Sequence, residues 1–351
     1  MVHQPVRHHD FQEMLYPIHD ETQNVLGVIA IHSTALGPAA GGCRLWHYES
    51  EKLLALDAVR LARGMSYKNA MAGLPFGGGK AVLQRPAIPF NRKSLFKALA
   101  SAVELLEGQY VTAEDVGTTV ADMQLLRQHT RYVAGLDTPE GRAGGDPSPW
   151  TAMGVFESMR AAVQQSFASN LKGLTVAVQG TGNVGGRLCR MLHEAGAKLL
   201  ISDVDQSRCA KLAAELGATV VSPDNIVACD ADILAPCALG GVLNEESIPS
   251  IKAKFICGGA NNQLRSEADG NRLREMGIVY APDYVVNSGG IINVVAEYME
   301  ESTEQVRTRV QQIAGRLLTV LAMAEQERLA TNVVADRIAE GIIREARRDV
   351  A

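Results

Sequence analysis

The chain has 351 residues, 46% of them hydrophobic and 21% charged, with a formal net charge of -5. The length suits two domains rather than one. The composition is that of a globular protein, and the charge argues against a nucleic-acid partner. No apolar run is long enough to span a bilayer, and residues 1–10 lack the apolar core of a signal peptide, so a cytoplasmic protein with no membrane partner is expected. Six cysteines (Cys43, Cys189, Cys209, Cys229, Cys237, Cys257) are scattered without CxxC spacing. That usage fits reduced thiols rather than disulfides or a zinc site, and no metal is expected. The pair His8-His9 reads as part of a terminal tail.

In chain order, residues 25–32 are rich in β-branched side chains and predict a strand. Gly37-Pro38-Ala39-Ala40-Gly41-Gly42 predicts a loop. Ser50 can cap a helix whose apolar face is Leu53, Leu54, Leu56, Val59 and Leu61, running toward Lys68. Gly77-Gly78-Gly79-Lys80 follows, and the segment after Lys80 predicts a short strand. Glycines let backbone and ligand approach closely. A lysine beside another cation and partly desolvated gives up its proton more easily, as an acid/base group needs. The alternative is a glycine turn with two solvated lysines. A helix is predicted over residues 92–106 and a strand over 110–113. Asp115 can serve as a proton acceptor or as the cap of a helix over 116–126. Residues 141–149 form the strongest break, a plausible hinge, and Ser148-Pro149 is a good helix start.

From residue 174 strand and helix patterns alternate, over 174–179, 184–195, 199–202 and 206–216, which implies a parallel sheet covered by helices. The first of these strands runs into Gly180-Thr181-Gly182-Asn183-Val184-Gly185. A GxGxxG between strand and helix is a dinucleotide fingerprint: the first glycine turns, the second admits the pyrophosphate, the third packs helix on strand. The helix N-terminus then faces the phosphates. Asp203, ending the second strand, can accept from a ribose 2′-hydroxyl and repels a 2′-phosphate, so NAD is expected over NADP, with Arg208 weakening the exclusion. From about residue 302 the chain reads as helical.

Several segments together resemble the glutamate/leucine/phenylalanine/valine dehydrogenase family, nearest its leucine-type members. They are Leu36-Gly37-Pro38-Ala39-Ala40-Gly41-Gly42-Cys43-Arg44, Arg63-Gly64-Met65-Ser66-Tyr67-Lys68-Asn69-Ala70, Gly77-Gly78-Gly79-Lys80, Thr112-Ala113-Glu114-Asp115-Val116-Gly117-Thr118-Thr119, Gly259-Ala260-Asn261-Asn262-Gln263-Leu264 and Ala281-Pro282-Asp283-Tyr284-Val285-Val286-Asn287-Ser288-Gly289-Gly290. The resemblance spans nearly the whole chain. It implies an α/β enzyme of two domains, a Rossmann-type dinucleotide-binding domain and an α/β substrate domain, with the active site in the cleft between them. The expected division is 1–140 for substrate, 141–330 for NAD, and a C-terminal helix at about 330–351 packing back on the first domain.

The resemblance further implies NAD-dependent, reversible oxidative deamination of an L-amino acid, leucine or another branched-chain one, to the 2-oxo acid and ammonia by a homo-oligomer. Lys68 would bind the α-carboxylate, Lys80 would activate water and Asp115 would shuttle protons. Gly41, Gly42, Met65, Ala113, Ile291 and Val294 would border the substrate. Asn262 would lie near substrate and nicotinamide, and Thr151 would hold the nicotinamide amide. Asn261 and Asn262 can alternatively satisfy buried backbone at a strand end, and Ala113, Ile291 and Val294 can be core. Ala40 and Ala134 are smaller than the family's usual residues there. They allow bulkier side chains, so a preference for phenylalanine or tryptophan is the runner-up. A silent NAD-binding protein would need neither lysine nor Asp115. A glutamate enzyme would need a further cation, for which Arg44 and Lys52 are candidates.

Overall fold

The computed structural model describes residues 14–22, 24–166 and 169–349; the pair His8-His9 lies outside them. The chain divides into two compact units. The first comprises the described residues of Met1–Asp146, Asn293–Val306 and Ala339–Ala351, the second those of Pro147–Ile292 and Arg307–Ile338.

The first unit carries β1 (Met14–His19), β2 (Val25–Ser33), β3 (Ala39–Trp46), α1 (Glu51–Met71), β4 (Gly77–Gln84), α2 (Arg92–Glu104), β5 (Tyr110–Glu114) and α3 (Val120–Arg127). The strands form one sheet in the order β1-β2-β4-β3-β5. The pairs β1–β2 and β2–β4 are antiparallel, while β4–β3 and β3–β5 are parallel. Side chains alternate across the sheet, as a strand requires. Ile29, Ile31, Ala81 and Leu83 join Phe96, Leu99 and Val103 of α2 and Met123 and Leu126 of α3 in one core. Val28, Ala30 and Val82 face Leu54, Ala58 and Ala62 of α1 in another.

Four sequence expectations need correction here. Residues 39–42 are not loop, because β3 begins at Ala39 and lies between β4 and β5, where its glycines allow close packing. The strand expected after Lys80 begins at Gly77 and contains Lys80. The helix expected over 116–126 begins at Val120. Its cap is Thr119, in a reciprocal capping box with Asp122, so Asp115 is not the cap. Ser50 does cap α1, but of the expected apolar face Leu53 and Leu56 are exposed, because Leu54, Ala58 and Ala62 define the buried stripe at helical spacing.

The second unit opens with α4 (Ser148–Ser166) and continues through β6 (Thr175–Gln179), α5 (Asn183–Glu194), β7 (Lys198–Ser202), α6 (Gln206–Leu216), β8 (Thr219–Val220), β9 (Ile233–Pro236), β10 (Phe255–Ile256), α7 (Glu267–Glu275), β11 (Val279–Tyr280) and α8 (Asp283–Val286). Its sheet is parallel throughout, in the order β11-β10-β9-β6-β7-β8. The order reverses beside β6, and in such sheets ligands bind outside the carboxyl ends of the strands at that switch. The helices α9 (Gly289–Tyr298), α10 (Thr303–Glu327) and α11 (Thr331–Asp349) complete the chain. All six cysteines are free thiols. Among the described residues no helix is long and apolar enough to cross a membrane.

Candidate active site

In the first unit the chemistry gathers at β3, β4 and the end of β5. Lys80 is buried on β4. Its Nζ lies 3.0 Å from Asp115 Oδ2. Arg44 on β3 donates from Nε to the same oxygen at 3.0 Å. Burial pushes the Asp115 carboxyl up, but Lys80 and Arg44 outweigh it and hold the group below the usual carboxylate range. Asp115 is therefore an anion at neutral pH. The Asp115 N–H donates to Thr118 Oγ1 at 2.8 Å, which fixes the turn after β5.

Strand order explains why these residues meet. Gly42 pairs in register with Ala113, two residues before Asp115. A Cβ at Gly42 would lie 2.5 Å from the Glu114 carbonyl oxygen and 2.9 Å from Asp115 Cβ, so only glycine lets Asp115 approach here. A Cβ at Gly78 would stand 2.0 Å from Ser66 N, which brings the last turns of α1 onto β4. Asn69 seals this contact, donating from Nδ2 to the Gly77 carbonyl at 2.6 Å. Lys68, in the last turn of α1, is half-buried. Met65, also half-buried, packs at Gly41. Thus Gly41, Gly42, Met65, Lys68, Lys80 and Ala113 belong to one sheet and the helix across it, with Asp115 just past the end of β5.

In the second unit the fingerprint has the geometry a dinucleotide needs. Gly180 takes a φ of +95° as it leaves β6. At Gly185 a Cβ would lie 1.9 Å from the Gly180 carbonyl oxygen, which brings α5 tight against the turn. At Gly182 a Cβ would meet nothing nearer than Arg208 at 3.8 Å, leaving that face of the loop open. Gly182 caps α5 without a side-chain hydrogen bond, so the first N–H groups, from Asn183 and Val184 onward, are free to meet an anion. Gln179 Oε1 and Ser202 Oγ, at the ends of β6 and β7, are buried with no partner among the described residues. These features fit a dinucleotide at the switch point. Asp203 Oδ2 accepts from Thr181 N at 2.6 Å and Thr181 Oγ1 at 3.0 Å, and Oδ1 accepts from Asp205 N at 2.9 Å. Burial pushes this carboxyl up; the N–H groups of Asp205 and Thr181 prevail and hold it low.

Asn262 is exposed, in the left-handed region with φ +52°. Its carbonyl accepts from Gly241 N at 2.7 Å, while the side chains of Gln263 and Asn287 bond to neighbouring backbone. Gln263 donates to the Gly258 and Ala260 carbonyls at 2.8 and 3.0 Å, and Asn287 donates to the Gly259 and Ala260 carbonyls at 3.3 and 3.4 Å. Thr151, on the first turn of α4, donates to the Pro147 carbonyl at 3.1 Å and stands where a Cβ on Gly290 would reach it, at 2.8 Å. Ile291 and Val294 are half-buried, three apart on α9 and so on one face.

Sequence reasoning missed two contributors. By sequence Arg44 reads only as a candidate binder of a side-chain carboxylate, yet its guanidinium is held by Asp115 and by Asp57, at 3.0 Å each. Tyr110 reads only as part of a strand, yet its buried hydroxyl accepts from Ala81 N at 2.9 Å, next to Lys80. No local pattern flags either, since each acts on a residue distant in sequence.

Residues 8–132 match the family described as Glu/Leu/Phe/Val dehydrogenase, dimerisation domain, and residues 146–207 and 201–347 match Glutamate/Leucine/Phenylalanine/Valine dehydrogenase. A leucine dehydrogenase of Geobacillus stearothermophilus is 47% identical over 333 residues, 95% of this chain and 90% of that protein. An L-tryptophan dehydrogenase of Nostoc punctiforme is 41% identical over 351 residues, 99% and 98% of the two chains. The crystal structure of L-tryptophan dehydrogenase from Nostoc punctiforme superposes with a TM-score of 0.84, covering 95% of this chain and 96% of that one. The chain belongs to the Glu/Leu/Phe/Val dehydrogenase family of NAD(P)-dependent amino-acid dehydrogenases.

Proposed function

We propose that this enzyme catalyses the reversible, NAD-dependent oxidative deamination of L-leucine or another branched-chain L-amino acid to the 2-oxo acid and ammonia. The observation that carries the reading is the Lys80–Asp115 contact at 3.0 Å, in a chain 47% identical to a leucine dehydrogenase. Bound NAD supplies the hydride acceptor. Lys68 gives the α-carboxylate a cation. Asp115, ionised, takes a proton from the substrate ammonium. Lys80, in its neutral form, takes a proton from the water that adds to the resulting imine carbon. It then returns a proton as ammonia leaves. Gly41, Gly42, Met65, Ala113, Ile291 and Val294 border the side chain, and Asn262 and Thr151 serve the nicotinamide end.

NAD is favoured over NADP by Asp203, whose anion stands beside the loop that would receive the ribose. The description of residues 8–132 as a dimerisation domain supports a homo-oligomer. The test is NADH formation with a panel of L-amino acids at alkaline pH, wild type beside Lys80→Ala. Activity on leucine or valine that disappears in the variant supports the reading. NAD binding without turnover of any amino acid refutes it.

A second reading keeps the reaction and changes the side chain to an aromatic one. Ala40 and Ala134 are the observations that favour it, together with the 41% identity to an L-tryptophan dehydrogenase. A kcat/KM for tryptophan or phenylalanine above that for leucine would decide for it.

A further inference from the structure

Arg44 is a buried-edge cation between two carboxylates. Its Nε meets Asp115 Oδ2 and its Nη1 meets Asp57 Oδ2, both at 3.0 Å. Its side chain is 19% exposed, that of Asp57 on α1 16%. Asp57 is itself held on the far side: Oδ2 accepts from the Tyr48 hydroxyl at 2.6 Å, and Oδ1 accepts from Arg60 Nη2 at 2.9 Å. A planar guanidinium anchored at two points has little rotational freedom. At Asp115 both cations, Lys80 and Arg44, converge on the single oxygen Oδ2. Oδ1 receives no hydrogen bond from the described residues, so it is the oxygen left for an incoming N–H.

We propose that Arg44, anchored by Asp57, is a positioning residue that pins Oδ2 of Asp115 and thereby presents Oδ1 to the substrate amino group. The inference rests on the reading of Asp115 as the proton acceptor. In the step concerned, one ammonium N–H bond breaks and an O–H bond forms at Oδ1; no electrons leave the pair. Arg44 has a second effect through charge, since a neighbouring cation favours the ionised form of Asp115. The ionisable groups around Asp115 are Lys80 on β4, Arg44 and Cys43 on β3, and Tyr110 on β5. Burial pushes the Cys43 thiol and the Tyr110 phenol far up, so both stay neutral and the cations dominate.

The test compares the pH profile of kcat/KM for wild type, Arg44→Met/Asp57→Asn and Arg44→Lys, with Asp115→Asn alongside. The paired variant removes both charges, so it leaves no unpaired ion at Asp57. NADH binding by fluorescence reports whether the protein is intact. The paired variant should lose about tenfold to a hundredfold in kcat, the scale of a misplaced catalytic group. Its acid limb should move to higher pH by about one unit. Arg44→Lys keeps the charge but not the two-point anchor. Its acid limb should stay at the wild-type position while kcat remains low. A paired variant whose profile keeps its shape and only scales down overturns the proposal, because a structural defect alone does that. Full activity in Asp115→Asn overturns the reading of Asp115 and this inference with it. Loss of activity in Asp115→Asn with an unmoved limb in the paired variant overturns the Arg44 inference alone.

Discussion

The hydroxyl of Tyr110 donates to the carbonyl oxygen of Gly41 at 2.6 Å. It also accepts from Ala81 N, so one buried phenol serves groups on both β3 and β4. The flanking register pairs are Ala40 with Gly78 and Cys43 with Ala81. Tyr110 thus braces the sheet where Gly41, Gly42 and Lys80 meet. Tyr110→Phe leaves a buried carbonyl and N–H short of a partner and should cost about 1–3 kcal/mol. Urea unfolding measures it. A midpoint equal to wild type would show that the strands close on each other without the hydroxyl.

Gly78→Ala should disturb the placement of both lysines. Its Cβ would stand 2.0 Å from Ser66 N and 2.4 Å from Ser66 Oγ, so α1 must lift from β4. Overpacking of this kind costs about 1–3 kcal/mol or more. The control is Gly64→Ala on the same helix, where a Cβ meets nothing within 4 Å. That change should stabilise by about 0.5–1 kcal/mol. Thermal midpoints moving in opposite directions, with KM for the amino acid raised only in Gly78→Ala, are expected.

Asp122 links stability to pH. It accepts from Arg92 at 2.8 and 2.7 Å and from Thr119 N and Oγ1 at 2.8 Å each. Burial pushes its carboxyl up, while Arg92 and Thr119 prevail and hold it below the unfolded value. A lowered carboxylate contributes stability above its unfolded value of about 4 and loses it as the pH falls through the folded value. Asp122→Asn should therefore cost about 1–3 kcal/mol at pH 7. The gap to wild type should narrow steadily below about pH 4. Arg92 is 41% exposed, so the cap bonds, more than the ion pair, carry the effect. A gap that stays constant with pH would contradict this.

The Asp203 carboxylate organises the Thr181 turn, and the proposed function gives it a second task, repelling a 2′-phosphate. Wild type should favour NAD over NADP in kcat/KM by about tenfold or more, a difference of about 1.4 kcal/mol. Asp203→Ser should narrow that ratio while weakening NAD binding, because the Thr181 and Asp205 donors lose their acceptor. Initial rates with the two cofactors decide it. Equal rates in wild type would mean that Arg208, 3.9 Å from Asp203, receives the phosphate.

Ala40 is buried on β3, opposite Gly78 and Val111 in the register. Ala40→Leu should shift the leucine-to-phenylalanine ratio of kcat/KM toward leucine by about tenfold, within the 1–3 kcal/mol of a pocket methylene. An unchanged ratio would place Ala40 in the core rather than beside the substrate.

Features that depend on neighbours along the chain are legible in the amino-acid order. The Gly180–Gly185 fingerprint between β6 and α5, the Ser50 cap, and the alternation of strand and helix after residue 174 are local patterns, read from propensity and spacing. Lys80 and Asp115 stood out because they lie in motifs. Which groups touch depends on how the strands are ordered in the fold. The order β4-β3-β5 brings Arg44 onto Asp115, 71 residues away. The same order turns Gly41 and Gly42 from an expected loop into a central strand. Glycine preference reports close approach as well as turning, and the sequence does not say which. Likewise Asp115 fits a cap by composition. In the fold Thr119 takes the cap, with Asp122 completing the box, and Asp115 meets Lys80 and Arg44 instead.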